Sequence, residues 1–397
     1  MNLTRTRGQP AALAAGRAIV DAGSSHAILL VGPAGTGKTT LALDLAAGLL
    51  CTAQPAAARP CRACRACRMV ESGNHPDLHR IGPEGPGGQI RIGERSSPDP
   101  GTVRGLISRL ALMPVEGGPR VALVEGAHRM NEDAQSALLK TLEEPPGGVL
   151  LILCADEEER MLPTIRSRCA RIRLGPVGGR DIEALLAERG LADPPEAARL
   201  ARLSGGRPGL ALAYAAAPEA VRSRGEVARQ LLDLLDARRA GRLTAVRELL
   251  ASAASVAAAL APGGGSSSAG SSSAAGRTPR ARVAVAEPEE AEEPADPSPA
   301  SRRVPVAERR RAAALLVDIW RDVARDLAVA QLGDVRSVRD MTLVDDLTRA
   351  ARGLAPGAAA AFLARLTRAG ELLDANVSPE LVADGLVNAW PRRSAAA

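Results

Sequence analysis

A chain of 397 residues is long enough for two or three domains, and its 46% hydrophobic content lets sizeable cores form. Only four aromatics occur (Tyr214, Trp320, Phe362 and Trp390), which argues against a protein that grips single strands by stacking bases on rows of rings. The net charge of +6 and pI near 9.4 permit contact with nucleic-acid phosphates without requiring it, because a solvated arginine-rich surface carries the same signature.

No apolar run approaches the ~18 residues of a membrane span. Met1 to Arg5 lacks the apolar core of a secretion signal, so a cytoplasmic location is expected. Ala27 to Val31 is a short apolar run that predicts a buried strand. Next comes Gly32-Pro33-Ala34-Gly35-Thr36-Gly37-Lys38-Thr39, which fits the phosphate-loop pattern G-x-x-x-x-G-K-[ST] at every fixed position. Thr39 to Ala46 predicts the helix that follows. Only two of the 51 basic residues are lysines, Lys38 and Lys140, so lysine at 38 stands out against an arginine background. A compact ammonium reaches between β- and γ-phosphates, where a planar guanidinium suits flat bidentate partners. Loop amides and the helix N-terminus would face the phosphates, and Thr39 would offer its hydroxyl to Mg²⁺. Gly32, Gly35, Gly37, Lys38, Thr39 and Thr40 are therefore the expected ATP-binding residues.

Cys51, Cys61, Cys64 and Cys67 follow. Two-residue gaps let neighbouring thiolates wrap one ion, and a fourth sulfur from upstream closes a tetrahedral shell. Structural Zn²⁺ is the natural occupant. An iron–sulfur cluster also takes four thiolates, and spacing does not separate the two. A redox pair needs only one C-x-x-C. A closed four-sulfur shell leaves no open position for a substrate, so no catalysis is assigned to it. Cys154 and Cys169 read as ordinary residues at strand ends.

Further along, Arg120 to Glu125 predicts a second strand, Ala134 to Glu144 an amphipathic helix stopped at Pro145-Pro146, and Val149 to Cys154 a third strand. Met161 to Arg166 reads as a short helix and Ala170 to Leu174 as a further strand. Strands alternating with helices after a phosphate loop imply an α/β fold with a parallel sheet covered on both faces. On the Ala134 to Glu144 helix, Lys140 is expected to pair with Glu144 at i+4. Beyond Pro176 the pattern is helical only, apart from a Gly/Ser then acidic/Pro stretch at 261–303 that reads as a solvated tether. The expected division is 1–176 as nucleotide-binding domain (51–67 its metal module), 177–217 as a small helical lid, and 218–397 as a helical collar.

An active ATPase of this class carries Asp-Glu at the end of the second strand, the Asp for Mg²⁺ and the Glu to polarise water. Here the strand runs into Glu125-Gly126. Glu125 can hold magnesium, whereas Gly126 has no side chain to act as a base. The chain looks equipped to hold nucleotide and poorly equipped to hydrolyse it alone, unless Glu125 itself serves as the base in a shifted register.

Val124-Glu125-Gly126-Ala127-His128, Ala137 to Pro146 and Ser167-Arg168-Cys169 resemble bacterial clamp loader subunits of the AAA+ class, as do the four-cysteine module and Asn74-His75-Pro76-Asp77-Leu78. The resemblance covers roughly residues 1 to 250 with specific motifs. Within that family the chain is most similar to the delta-prime subunits of the DNA polymerase III loader, which lack the Asp-Glu pair kept by the gamma and tau motors. Some delta-prime proteins also have a degraded phosphate loop; here it is intact. The resemblance implies a AAA+ domain, lid and oligomerising collar, and partnership with gamma/tau and delta subunits, a sliding clamp and the phosphates of primed DNA. It also implies that Arg168 acts as an arginine finger in a neighbour's ATP site and Arg207 as the lid arginine sensing the γ-phosphate. The rivals are an active AAA+ motor, against which Gly126 speaks, and a non-enzymatic zinc adaptor that retains a phosphate loop.

Overall fold

The computed structural model describes residues 4–393 apart from 85–87, 95, 97, 98 and 262–304. Five strands, β1 (Ala27–Val31), β2 (Leu78–Ile81), β3 (Arg120–Val124), β4 (Val149–Ala155) and β5 (Ala170–Arg173), form one sheet in the order β2-β3-β4-β1-β5. Every pairing in it is parallel. All residues of β1, β3 and β4 are buried, as expected where crossover helices cover both faces. The helices are α1 (Pro10–Ala22), α2 (Lys38–Leu50), α3 (Arg65–Glu71), α4 (Val103–Leu110), α5 (Glu132–Glu143) and α6 (Pro163–Arg166). Side-chain alternation divides β1, β3 and β4 between two cores. Ile28, Leu30 and Ile152 join Ala12 of α1 and Leu41 and Leu45 of α2. Leu29, Val31 and Leu153 join Leu106 of α4 and Leu138 of α5 on the other face.

The four strands anticipated from sequence stand within a residue of their expected ends. Four elements were not anticipated: α1, β2, α3 and α4. One expected contact is absent. Among the described residues no ion pair joins Lys140 to Glu144, because Glu144 has left the helix (φ −127°, ψ 72°) before Pro145 and the i+4 geometry is lost.

Helices α7 (Gly179–Glu188), α8 (Pro194–Leu203) and α9 (Pro208–Ala216) share a small core of their own around Ile182, Leu186, Leu200 and Tyr214. Asp193 caps α8 by accepting the Glu196 amide at 3.0 Å. The remaining helices, α10 (Pro218–Asp233), α11 (Arg239–Ala259), α12 (Val306–Gln331), α13 (Val344–Arg352), α14 (Ala358–Asp374) and α15 (Pro379–Ala389), close over a fourth core. Trp320, Phe362 and Trp390 meet at its centre, with ring centroids 4.7 to 5.7 Å apart, and the Trp390 indole N–H donates to Leu231 O at 2.9 Å. Arg224, buried, reaches Asp322 at 3.0 Å and Asp340 at 3.1 Å. The expected tether lies outside the described residues but for Ala261. Among the described residues no helix is long and apolar enough to cross a membrane. The fold class is thus α/β, a parallel sheet domain carrying a cysteine cluster and followed by helical regions.

Candidate functional site

The phosphate loop bridges the C-terminal end of β1 and the start of α2. Gly37 stands at the N-cap with φ +100°, which L side chains rarely adopt, and no side chain caps the helix. The first-turn amides of a helix have no intrahelical partner, so here they face the adjoining cavity. That cavity measures about 440 Å³ and is lined by the loop from Ala34 to Thr40, with Arg5, Arg7, Arg129 and Arg189 around it. An uncapped helix N-terminus, a glycine cradle and a basic rim fit a polyphosphate. Gly32 lies behind the loop and its carbonyl accepts Lys38 Nζ at 2.6 Å.

Lys38 is buried, and its ammonium makes two further contacts, to Pro33 O at 2.8 Å and to Asp156 Oδ1 at 2.6 Å. Thr39 Oγ1 donates to Glu125 Oε2 at 3.2 Å. Two adjacent ligands of an octahedral Mg²⁺ stand about 2.9 Å apart, from a metal–oxygen distance of ~2.05 Å. Thr39 and Glu125 are therefore a fitting pair for that ion. The other oxygen of Glu125 is held by Arg80 from β2, at 3.1 Å from Nε and 2.6 Å from Nη2.

Gly126 is more than a missing carboxylate. Its φ is +64°, and a Cβ built there would sit 3.0 Å from Pro83 Cγ. The chain leaves β3 through a left-handed turn that disfavours any side chain. His128 follows, buried. Its Nδ1 accepts the Asp156 amide at 3.1 Å, which puts the ring proton on Nε2, 3.8 Å from Asp156 Oδ2. Burial holds His128 below the ordinary histidine pKa, with Asp156 pulling the other way. Asp156, paired to Lys38, went unnoticed in the sequence. It opens the acidic run Asp156-Glu157-Glu158-Glu159, which resembles a solvated turn.

The four cysteine sulfurs lie within 4.8 Å of one another, with Cys51 Sγ 3.6 Å from Cys61 Sγ and 3.8 Å from Cys64 Sγ. A tetrahedral ion with ~2.3 Å metal–sulfur bonds needs sulfur pairs about 3.8 Å apart, so the donor set fits a structural metal, zinc in the first place. Amides point at the sulfurs, from Cys64 to Cys61 at 3.3 Å and from Cys67 to Cys64 at 3.4 Å. Burial works to raise the Cys64 thiol, but hydrogen bonds from Cys67 and Thr52 outweigh it and bring it down to about 6. The module is tied to α2, the helix that leaves the phosphate loop, through Asp44. That buried carboxylate pairs with Arg62 and also accepts the Thr6 amide at 2.7 Å and the Thr6 hydroxyl at 2.6 Å. Cys154, at the cavity wall, and Cys169 are buried thiols, both pushed up to about 12 by burial.

Arg168 does not line this cavity. Its guanidinium is partly exposed beyond α6, where it donates to Thr164 O at 2.9 Å and pairs with Glu143 at 2.6 Å. Arg207, expected at the nucleotide, is also outside the lining. Its stem packs by Gly35, while Nε donates to Ser204 O at 3.0 Å and Nη2 lies 3.9 Å from Asp322 of α12. Pro208 and Gly209 reach the cavity in its place, and the Gly209 amide donates to Gly35 O at 3.2 Å.

Residues 12–178 match the family model described as DNA polymerase III, delta subunit. The chain is 41% identical over 186 residues to DNA polymerase III subunit delta' of Pseudomonas aeruginosa, covering 46% of this chain and 54% of that one. It is 33% identical over 176 residues to the delta' subunit of Bacillus subtilis, covering 44% and 49%. It is also 37% identical over 172 residues to the gamma/tau subunit of Mycobacterium bovis, covering 42% and 28%. The chain thus spans about half the length of the delta' relatives it matches. Its N-terminal part is similar to the delta-prime subunits of the DNA polymerase III clamp loader.

Proposed function

We propose that this chain is a stationary, delta-prime-type subunit of a cytoplasmic clamp loader, which binds nucleotide without turning it over and exercises its chemistry on an adjacent subunit. One observation carries the reading: an intact phosphate loop stands beside a left-handed Gly126 where an ATPase needs its base. Loop amides and Lys38 would hold the phosphates, and Thr39 and Glu125 would hold Mg²⁺. Arg168 would leave Glu143 and enter a neighbour's ATP site. There a cation supplied in trans stabilises the charge that develops on the transferred phosphoryl group, worth about 10³–10⁵ in rate in well-studied cases. Arginines and helix N-termini would meet DNA at its phosphates. The helices from α10 to α15 would form the collar of a ring with gamma/tau and delta subunits that opens a sliding clamp on primed DNA. A zinc ion in the four-cysteine site would rigidify the loop after α2.

The test is reconstitution with gamma/tau and delta subunits. The chain alone should show no steady ATP turnover, and Arg168→Ala should sharply lower the DNA-stimulated turnover of the assembly. Turnover by the isolated chain favours the second reading, an active motor, which the likeness to a gamma/tau subunit keeps in view. Unchanged turnover with Arg168→Ala rejects the finger.

A further inference from the structure

Asp156 takes no part in the scheme above, yet it sits where a phosphate is wanted. It follows β4 directly and lies against the phosphate loop, because the Gly32 amide donates to Ala155 O at 3.2 Å. An ammonium has three donors, and Lys38 spends them on Gly32 O, Pro33 O and Asp156 Oδ1. Of these three acceptors only Asp156 is anionic and lines the cavity, and its side chain is 33% exposed. The carboxylate is also anchored from behind, since its own amide donates to His128 Nδ1 and the His128 Nε2 proton faces Oδ2.

The two ends of a polyphosphate meet different surroundings here. A phosphate seated on the loop amides and the N-terminus of α2 needs nothing from Asp156. A terminal phosphate reaching for Lys38 must displace the carboxylate or lie beside it, and like charges a few ångströms apart repel strongly in a partly dry cleft. We propose that Asp156 holds the terminal-phosphate position on Lys38, so that the pocket selects a nucleoside diphosphate over the corresponding triphosphate. The inference rests on the nucleotide-binding reading above and sharpens it. The subunit would keep one nucleotide state while its neighbours cycle, because it neither favours the triphosphate nor hydrolyses it.

Equilibrium titration of the full chain with fluorescent ADP and ATP analogues, in the presence of Mg²⁺, tests this directly. Wild type should bind the diphosphate at least about tenfold more tightly, and Asp156→Asn should tighten triphosphate binding by about tenfold while changing diphosphate binding less than about threefold. Asp156→Ser should act in the same direction, which guards against a folding artefact of one variant. Lys38→Ala should weaken both. Equal affinities in wild type, or a ratio unmoved by either Asp156 variant, overturn the inference and leave nucleotide binding intact. Absence of binding of either analogue to wild type and to both variants removes the nucleotide reading and this inference together.

Discussion

Restoring the glutamate that ATPases carry after the strand should fail in this chain, for a reason visible in the backbone. Gly126→Glu puts a side chain on a residue with φ +64°, its Cβ 3.0 Å from Pro83 Cγ. A left-handed non-glycine residue costs about 1–2 kcal/mol, and the tight contact with a proline ring brings the total to about 2–3 kcal/mol. For a domain of this size each kcal/mol lowers the melting temperature by about 2–4 °C, so a drop of about 4–12 °C is expected. Gly126→Ala pays the same backbone cost without a carboxylate and should fall by a similar amount. Differential scanning calorimetry of the three proteins measures the loss, and a phosphate-release assay shows whether hydrolysis appears. Robust turnover by Gly126→Glu with no loss of stability would refute the reasoning, since the turn would then be free to adopt the conformation of an active enzyme.

Other outcomes follow from the same geometry. Arg224→Met takes the guanidinium from Asp340, which keeps the Thr342 hydroxyl at 2.6 Å, and leaves Asp322 with Arg339 at 2.7 Å; unfolding in urea should show a loss near 3 kcal/mol, the low end for breaking a buried pair, and adding Asp322→Leu and Asp340→Leu should recover most of it. Hydrogen bonds from Arg171 and Arg173 hold the Glu158 carboxyl below its usual range. Its stabilisation is therefore present above the unfolded value of ~4.3 and lost as pH falls through the folded one. Glu158→Gln should accordingly melt below wild type at pH 7 and converge with it under acid, by about 1 kcal/mol or less because the arginines are exposed. Elemental analysis should find about one zinc per chain, lost in Cys64→Ser; iron in its place would mark a cluster instead.

What sequence could and could not reveal follows from range. β1, the phosphate loop and α2 were legible because an apolar run, fixed glycines and one lysine are local signals. The cysteine spacing was legible for the same reason. β2 escaped because Leu78-His79-Arg80-Ile81 is short and half polar, with only its end residues buried. Missing β2 meant missing Arg80, and so the clamp on Glu125. Asp156 was hidden by its acidic neighbours and becomes meaningful only when β4 is laid beside β1. Arg207 followed a lid motif, but its guanidinium is held by Ser204 O and faces Asp322, which is 115 residues away and was invisible to local pattern.

The chain's few rings are unevenly shared out. No Trp, Tyr or Phe precedes Tyr214, and both indoles meet in the core formed by α10 to α15. Intrinsic fluorescence therefore reports on the C-terminal helices and is blind to the sheet and the cleft at its phosphate loop. A melt followed by tryptophan emission would track one body of the molecule and pass over the loosening of the other. A single indole introduced near the cleft would make the silent half visible.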